Sequence, residues 1–204
     1  ASKIKLKIGN NSLGRLSKIK YLGLTLDEKF TWEKHSLELQ VKLRKLNFLF
    51  FHLKNYFNTY HLKKLYTPLY ESVLSYGIIH WGACKHIQPI KVLQITVCRT
   101  ILSLPPRTSE SSIYPAMNVP KLEEVHRRRL LTFLFKNQEF FRLNYSKHTI
   151  TRHTVSRVAA YPRWKKEHSR WQGLYQGAKL FNLLPAHVRD EVKLSVFKRL
   201  VRDL

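Results

Sequence analysis

Apolar and polar residues alternate with a period of two along Lys18-Ile19-Lys20-Tyr21-Leu22-Gly23-Leu24-Thr25-Leu26-Asp27. Leu22, Leu24 and Leu26 share one face; Tyr21, Gly23, Thr25 and Asp27 share the other. That period predicts a half-buried strand. Gly23 is expected in mid-strand, where the missing side chain lets another backbone approach. Upstream, Ile4, Leu6 and Ile8 alternate with Lys5 and Lys7, and Gly9-Asn10-Asn11 supplies turn residues. Residues 1–30 therefore read as a β-hairpin with basic flanks. Its plainest role is to pack on the helices behind it.

The period then lengthens. Leu39, Leu43, Leu46, Phe50, Leu53 and Phe57 recur at steps of four and three, the stripe of an amphipathic helix. Arg44 and Lys45 fall away from that stripe, facing solvent or a phosphate backbone. Asn58-Thr59 can cap a second helix through Leu62, Leu65, Tyr66, Leu69 and Tyr70, with Lys63 and Lys64 outside. Pro68 should kink or split it. Gly77 and Gly82 bracket a stretch, residues 78–81, where the helix is expected to end and the chain to turn. Pro89 suits the first turn of a third helix buried through Ile90, Leu93, Val97 and Ile101. These helices make residues 31–104 a three-helix bundle.

Pro105-Pro106-Arg107-Thr108-Ser109 breaks the pattern and marks a boundary. A short helix is expected near 110–117. A stronger one opens at Pro120, with Glu123 and Glu124 at the positive end of its dipole. Linker and long helix together span 105–141. Arg127, Arg128 and Arg129 sweep across about 200° of that helix, so at least one reaches solvent. Residues 142–172 form a basic aromatic loop in which Arg163, Trp164, Lys165, Lys166, Arg170 and Trp171 crowd around a single acid, Glu167. Ring faces that stack on bases beside cations that follow phosphates suit single-stranded nucleic acid. The plainer alternative is an irregular loop whose Trp side chains plug the core. Residues 173–204 return to helix: Leu180, Phe181, Leu183 and Leu184 dock, Pro185 starts a turn or short helix, and Ser195 caps the last one. The fold class is mainly α with a small N-terminal β-hairpin.

Charge sharpens this picture. The 204 residues carry 37 Lys and Arg against 13 Asp and Glu, a net charge of +24. Such a surplus repels itself in a compact fold and implies a polyanionic partner, nucleic acid first. An apolar content of 44% is enough for a core. No apolar run approaches the roughly 20 residues of a spanning helix, so no membrane partner is expected. Cys84 and Cys98 make no disulfide framework, which points to a reducing, intracellular setting, nuclear or cytoplasmic. His80, Cys84 and His86 lack the spacing of a structural zinc site. No Gly-rich phosphate loop or nucleophile motif is present. No metal and no cofactor are expected.

Tyr21-Leu22-Gly23-Leu24-x-Leu26-Asp27, then Phe30-x-Trp32-x-x-His35, resembles the segment after the palm in reverse transcriptases of non-LTR (LINE-like) retrotransposons. In that family the Leu-Gly strand belongs to the primer grip, which makes Tyr21, Leu22 and Gly23 primer-grip-like. Leu65-Tyr66-x-x-Leu69-Tyr70, Leu74-Ser75-Tyr76-Gly77, Trp81-Gly82, Leu93-Gln94, Cys98-Arg99 and Ile101-Leu102 resemble the thumb pattern. Gly177-Ala178-Lys179-Leu180-Phe181-Asn182-Leu183-Leu184-Pro185, with Phe197-Lys198 beyond, resembles the family's C-terminal Leu-Trp-Asn-x-Leu-Pro block, Phe181 replacing the Trp. The resemblance covers nearly the whole chain.

The resemblance implies a thumb-like helical bundle followed by a second small helical region, resting on the minor groove of a template–primer duplex. The implied partners are RNA or an RNA–DNA duplex, together with the rest of a reverse transcriptase or another protein subunit. The nucleic-acid contacts expected are Arg44, Lys45, Lys63, Lys64 and Arg127–Arg129, with the basic aromatic loop. Backbone and 2′-hydroxyl contacts of this kind are largely indifferent to sequence. The family's catalytic centre, an aromatic-x-Asp-Asp turn with a third Asp earlier, lies upstream of the primer grip. This sequence begins at Ala1, a few residues before the grip-like segment, and holds no Asp-Asp pair. Ala1 in place of Met reads as a processed or partial chain. Adjacent carboxylates such as Asp27-Glu28, Glu123-Glu124 and Asp190-Glu191 diverge on any regular backbone and cannot cluster two metals. The expectation is therefore no polymerase activity from this chain alone. The alternative is a domesticated retroelement remnant serving as a non-catalytic subunit of a ribonucleoprotein or protein complex.

Overall fold

The computed structural model describes residues 6–9, 11–14, 16–138, 143–145, 157–159 and 173–203. The chain is mainly helical and opens on small antiparallel hairpins. β1 (Leu6–Ile8) pairs with β2 (Asn11–Leu13), and β3 (Lys18–Tyr21) pairs with β4 (Leu24–Asp27). Tyr21 stands opposite Leu24, so the turn falls on Leu22-Gly23. Both have positive φ, 45° and 77°. A two-residue hairpin turn takes this geometry, and glycine adopts it without strain. Gly23 is thus the hinge of the hairpin, not a mid-strand residue.

The alternation in β4 is also inverted relative to expectation. Thr25 is buried, whereas Leu22 is exposed at the turn and Leu24 and Leu26 are half-buried. Thr25 can go inside because it is fully engaged: Oγ1 donates to Glu38 Oε2 at 2.6 Å and its N–H donates to His35 Nδ1 at 3.4 Å. The Asp27 carboxylate then organises the exit from the strand. It accepts the N–H groups of Lys29, Thr31 and Trp32 and the Thr31 hydroxyl. Burial raises the Asp27 pKa, but these bonds outweigh it and hold the group below the ordinary value.

Helix α1 (Glu33–Leu53) buries Leu39, Leu43 and Phe50 and runs along α5 (Gln88–Leu102), where Ile90, Val97 and Ile101 face it from the same core. It stops at Leu53, so Phe57 lies beyond the stripe and is exposed. Asn58 caps α2 (Thr59–Tyr66) by accepting the His61 N–H at 3.1 Å. At Pro68 the helix widens into a single π turn, Thr67–Glu71, before α3 (Ser72–Ser75) resumes. That wide turn accommodates the proline without ending the rod, so Leu62, Tyr66, Tyr70 and Leu74 all reach one core. Residues 78–81, expected as a turn, instead form α4 (Ile78–Trp81), anchored by fully buried Trp81, whose Nε1 donates to the Tyr76 carbonyl at 2.8 Å.

After α6 (Glu110–Met117), helix α7 (Leu122–Lys136) belongs to both halves of the molecule. Leu122 and Val125 close the first core; Leu131, Leu134 and Phe135 enter a second. α8 (Gly173–Asn182), α9 (Ala186–Arg189) and α10 (Leu194–Asp203) complete that second core with Ala178, Phe181, Val188, Phe197 and Val201. Leu183 does not dock: it is 73% exposed. Ser195 is not a cap either. Glu191 Oε1 accepts the N–H groups of Val192 and Lys193, which starts α10 earlier and leaves Ser195 inside it. Within the span read as a loop, β5 (Leu143–Tyr145) and β6 (Arg157–Ala159) pair antiparallel. Asn182 ties this ribbon to α8: its side chain accepts the Ala159 N–H at 2.8 Å and donates to the Ala159 carbonyl at 3.0 Å.

Candidate nucleic-acid interface

The β3–β4 turn is the first candidate feature. Tyr21 and Leu22 are 63% and 72% exposed at its tip. Tyr76 lies beneath it, and its hydroxyl donates to the Leu22 carbonyl at 2.7 Å. A Cβ on Gly23 would sit 3.2 Å from the Tyr76 ring. Behind the turn an apolar cleft of about 480 Å³ separates the hairpin from α4 and α7, with Leu24, Leu26, Trp32, Ile79, Leu130 and Phe133 in its walls. Gly173 opens α8 against this cleft; a Cβ there would come within 2.5 Å of the Ile79 carbonyl oxygen.

The predicted cations fall into two groups. Arg44 and Lys45 stand exposed on α1, and Lys64 is exposed on α2. Lys63 is half-buried and donates to the Ala116 carbonyl at 2.6 Å, so it locks α2 onto α6. The second group is on α7. Arg129 is exposed, while Arg127 and Arg128 are half-buried. Arg128 pairs with Glu124 at 3.5 Å and donates to the Arg202 carbonyl at 3.4 Å, which binds α7 to α10. Lys63 and Arg128 are therefore structural braces as well as cations. Arg163, Trp164, Lys165, Lys166, Arg170 and Trp171 lie outside the described residues.

The larger surprise is aromatic. Phe48, Phe51, Tyr56, Phe57 and Tyr60 are between 44% and 83% exposed around the α1–α2 connection. Lys54 Nζ sits 4.6 Å from the centre of the Phe51 ring, and Lys64 Nζ 4.4 Å from that of Tyr60. His52 packs edge-on to Phe48 and Phe51; His61 packs edge-on to Phe57 and Tyr60. Periodicity puts Phe57 on the buried stripe and leaves the other four rings unassigned. The signal was present: one helix cannot bury the 39/43/46/50/53 stripe and also Phe48 and Phe51, so the second set must face outward.

The buried titratable groups serve the core. His126 Nε2 has no hydrogen-bond partner among the described residues, and burial pushes its pKa down to about 4. Burial also lowers His35 and His80, with the Glu38 carboxylate opposing this at His35. Burial raises the thiol pKa of both cysteines, Cys98 to about 12, so neither is an activated nucleophile. Among the described residues, no group of three His, Cys, Asp or Glu side chains could hold a metal ion. None of their helices is long and apolar enough to cross a membrane.

No family model matches the chain, and no curated protein or solved structure matches it.

Proposed function

We propose that this chain is the nucleic-acid-gripping, non-catalytic portion of a reverse transcriptase of the non-LTR kind. One observation carries the reading. Residues 39–109 contain ten Lys and Arg and a single acid, Glu71. Seven of those cations (Lys42, Arg44, Lys45, Lys54, Lys64, Lys85 and Arg107) are exposed. The other three are drawn inward to partners: Lys63 to the Ala116 carbonyl, Lys91 to Glu123 and Arg99 to the Thr108 carbonyl. Thirteen acids cannot neutralise thirty-seven cations whatever the pairing. A phosphate backbone supplies the missing charge, and the counterions it releases drive the binding. The grip-like turn, pinned from below by Tyr76, and the order of the thumb-like motifs support a template–primer duplex as the ligand.

A titration of RNA–DNA hybrid, duplex RNA and duplex DNA over roughly 50 to 200 mM salt tests this. The expected result is tight binding at low salt that weakens steeply as salt rises. Replacing Arg44, Lys45 and Lys64 together by Ala should flatten the salt slope by about two to three. Failure to bind any duplex at low salt overturns the reading.

The apolar cleft favours a second reading, a domesticated remnant acting as a structural subunit. Exposed Tyr21, Leu22 and Phe30 at its rim suit a protein segment better than a phosphate. An Asp-Asp turn upstream in the same reading frame decides for the polymerase portion. Its absence from that frame decides for the subunit.

A further inference from the structure

The geometry points to a second nucleic-acid site, specific for unpaired strand, on the aromatic tip where α1 meets α2. This inference rests on the nucleic-acid reading above and names a different ligand form; it shares Lys54 and Lys64 with that reading and adds the exposed rings. The strand's bases stack on Phe51 and Tyr60, with Tyr56 beside them. Its phosphates lie on Lys54 and Lys64, beside the adjoining cleft.

Three features of the tip combine. Its rings are in water: Phe51, Tyr56 and Tyr60 are 51%, 83% and 62% exposed, although α1 and α2 bury Phe50 and Tyr66 completely. Leaving such rings in water forfeits the favourable burial that fully enclosed aromatics contribute. A cation covers each of two rings, Lys54 on Phe51 and Lys64 on Tyr60, as they would stand before a flat anionic ligand displaces them. Finally, a cleft of about 310 Å³ opens directly beside Phe51 and Lys54. Its far wall is Thr96, Arg99, Thr100 and Ser103 on α5 and just past its end. That wall carries hydroxyls and the Arg99 guanidinium, one nitrogen of which donates to the Thr108 carbonyl, and has no carboxylate among the lining residues.

Charge selects the occupant. A purely apolar protein surface seated here would bury the Lys54 and Lys64 ammonium groups without counterions, which is costly. An acidic peptide would satisfy the lysines but would leave the ring faces without flat partners. Single-stranded nucleic acid supplies both, one flat base and one phosphate per nucleotide. A duplex cannot use the tip in this way, because its bases are already stacked on one another.

The test uses the full chain and fluorescence anisotropy with a labelled 12-nucleotide oligouridine and a blunt RNA duplex of equal length. Phe51→Ala and Tyr60→Ala are each expected to weaken oligouridine binding by roughly tenfold while leaving duplex affinity within about twofold. Phe51→Trp should restore wild-type strand binding, because an indole stacks at least as well. Melting curves of the variants establish that they are folded; both positions are exposed, so little change is expected. If the alanine variants hold oligouridine as tightly as wild type while duplex binding persists, this inference fails and the duplex reading survives. If wild type binds neither ligand at low salt, both fail. If the variants instead abolish self-association or vesicle binding with strand affinity intact, the tip is a protein or lipid surface and the inference is overturned.

Discussion

Tyr76 and Leu22 are joined by a 2.7 Å hydrogen bond from the tyrosine hydroxyl to the leucine carbonyl, so the β3–β4 turn is held by the chain just before α4. The bond is exposed, and its net contribution is of the order of 1 kcal/mol or less. Tyr76→Phe should therefore lower global stability only slightly, but should speed hydrogen exchange of the turn amides. Tyr76→Ala should do more, because the ring also covers Gly23. Exchange at residues 21–25 that is unchanged in both variants would show that the turn holds itself.

Gln94 is a buried polar hub of the first core. Its Nε2 donates to the Tyr66 hydroxyl and the Pro120 carbonyl, each at 3.1 Å; its Oε1 accepts the Leu122 N–H at 3.1 Å and the Tyr114 hydroxyl at 3.3 Å. This side chain caps the first turn of α7 from α5 and fixes where the second half of the molecule departs. Gln94→Leu fills similar space but orphans several buried groups at once, so a loss of about 2–4 kcal/mol is expected in urea denaturation. A loss under about 1 kcal/mol would mean that the helices hold their places without it.

His126 makes stability depend on pH. Its folded-state pKa is depressed by burial to about 4, below the ordinary histidine value of 6.5. Between those values the unfolded chain takes up a proton that the folded chain refuses. Stability contributed by the neutral ring is thus complete above about pH 6.5 and is lost as pH falls towards 4, up to roughly 3 kcal/mol. His35 and His80 shift in the same direction, so the wild-type slope includes their shares. His126→Phe should flatten the stability curve over that window while leaving the other two contributions. An unaltered slope would show that His126 titrates normally in the folded chain.

Asn182 carries two hydrogen bonds to the backbone of Ala159, and this gives the side chain a structural role. Asn182→Ala should cost about 1–3 kcal/mol and release β6 from α8, seen as faster exchange at the Ala159 amide. Asn182→Asp keeps the acceptor and loses the donor, so it should fall between. Equal protection in all three proteins would place the anchor of the ribbon elsewhere.

The amphipathic stripes of α1, α2 and α5 and the Asn58 cap were legible because each depends on local chemistry and helical period. The same arithmetic failed where a long-range partner reversed a local preference. Thr25 is inside β4 only because Glu38 and His35 meet it there. Residues 78–81 fold as helix because Trp81 finds a buried slot and a carbonyl at Tyr76. For the site, the sequence named the exposed cations Arg44, Lys45, Lys64 and Arg129. It had no means of telling that Lys63 and Arg128 are occupied by carbonyls on other helices.

By itself, then, the sequence determined a mainly helical chain with a cation surplus that internal pairing cannot remove, because periodicity and net charge are properties of the chain alone. Only the tertiary structure decided which rings and cations remain in water. Exposure depends on which face of α1 meets α5, and on a carbonyl or carboxylate arriving from a distant part of the chain.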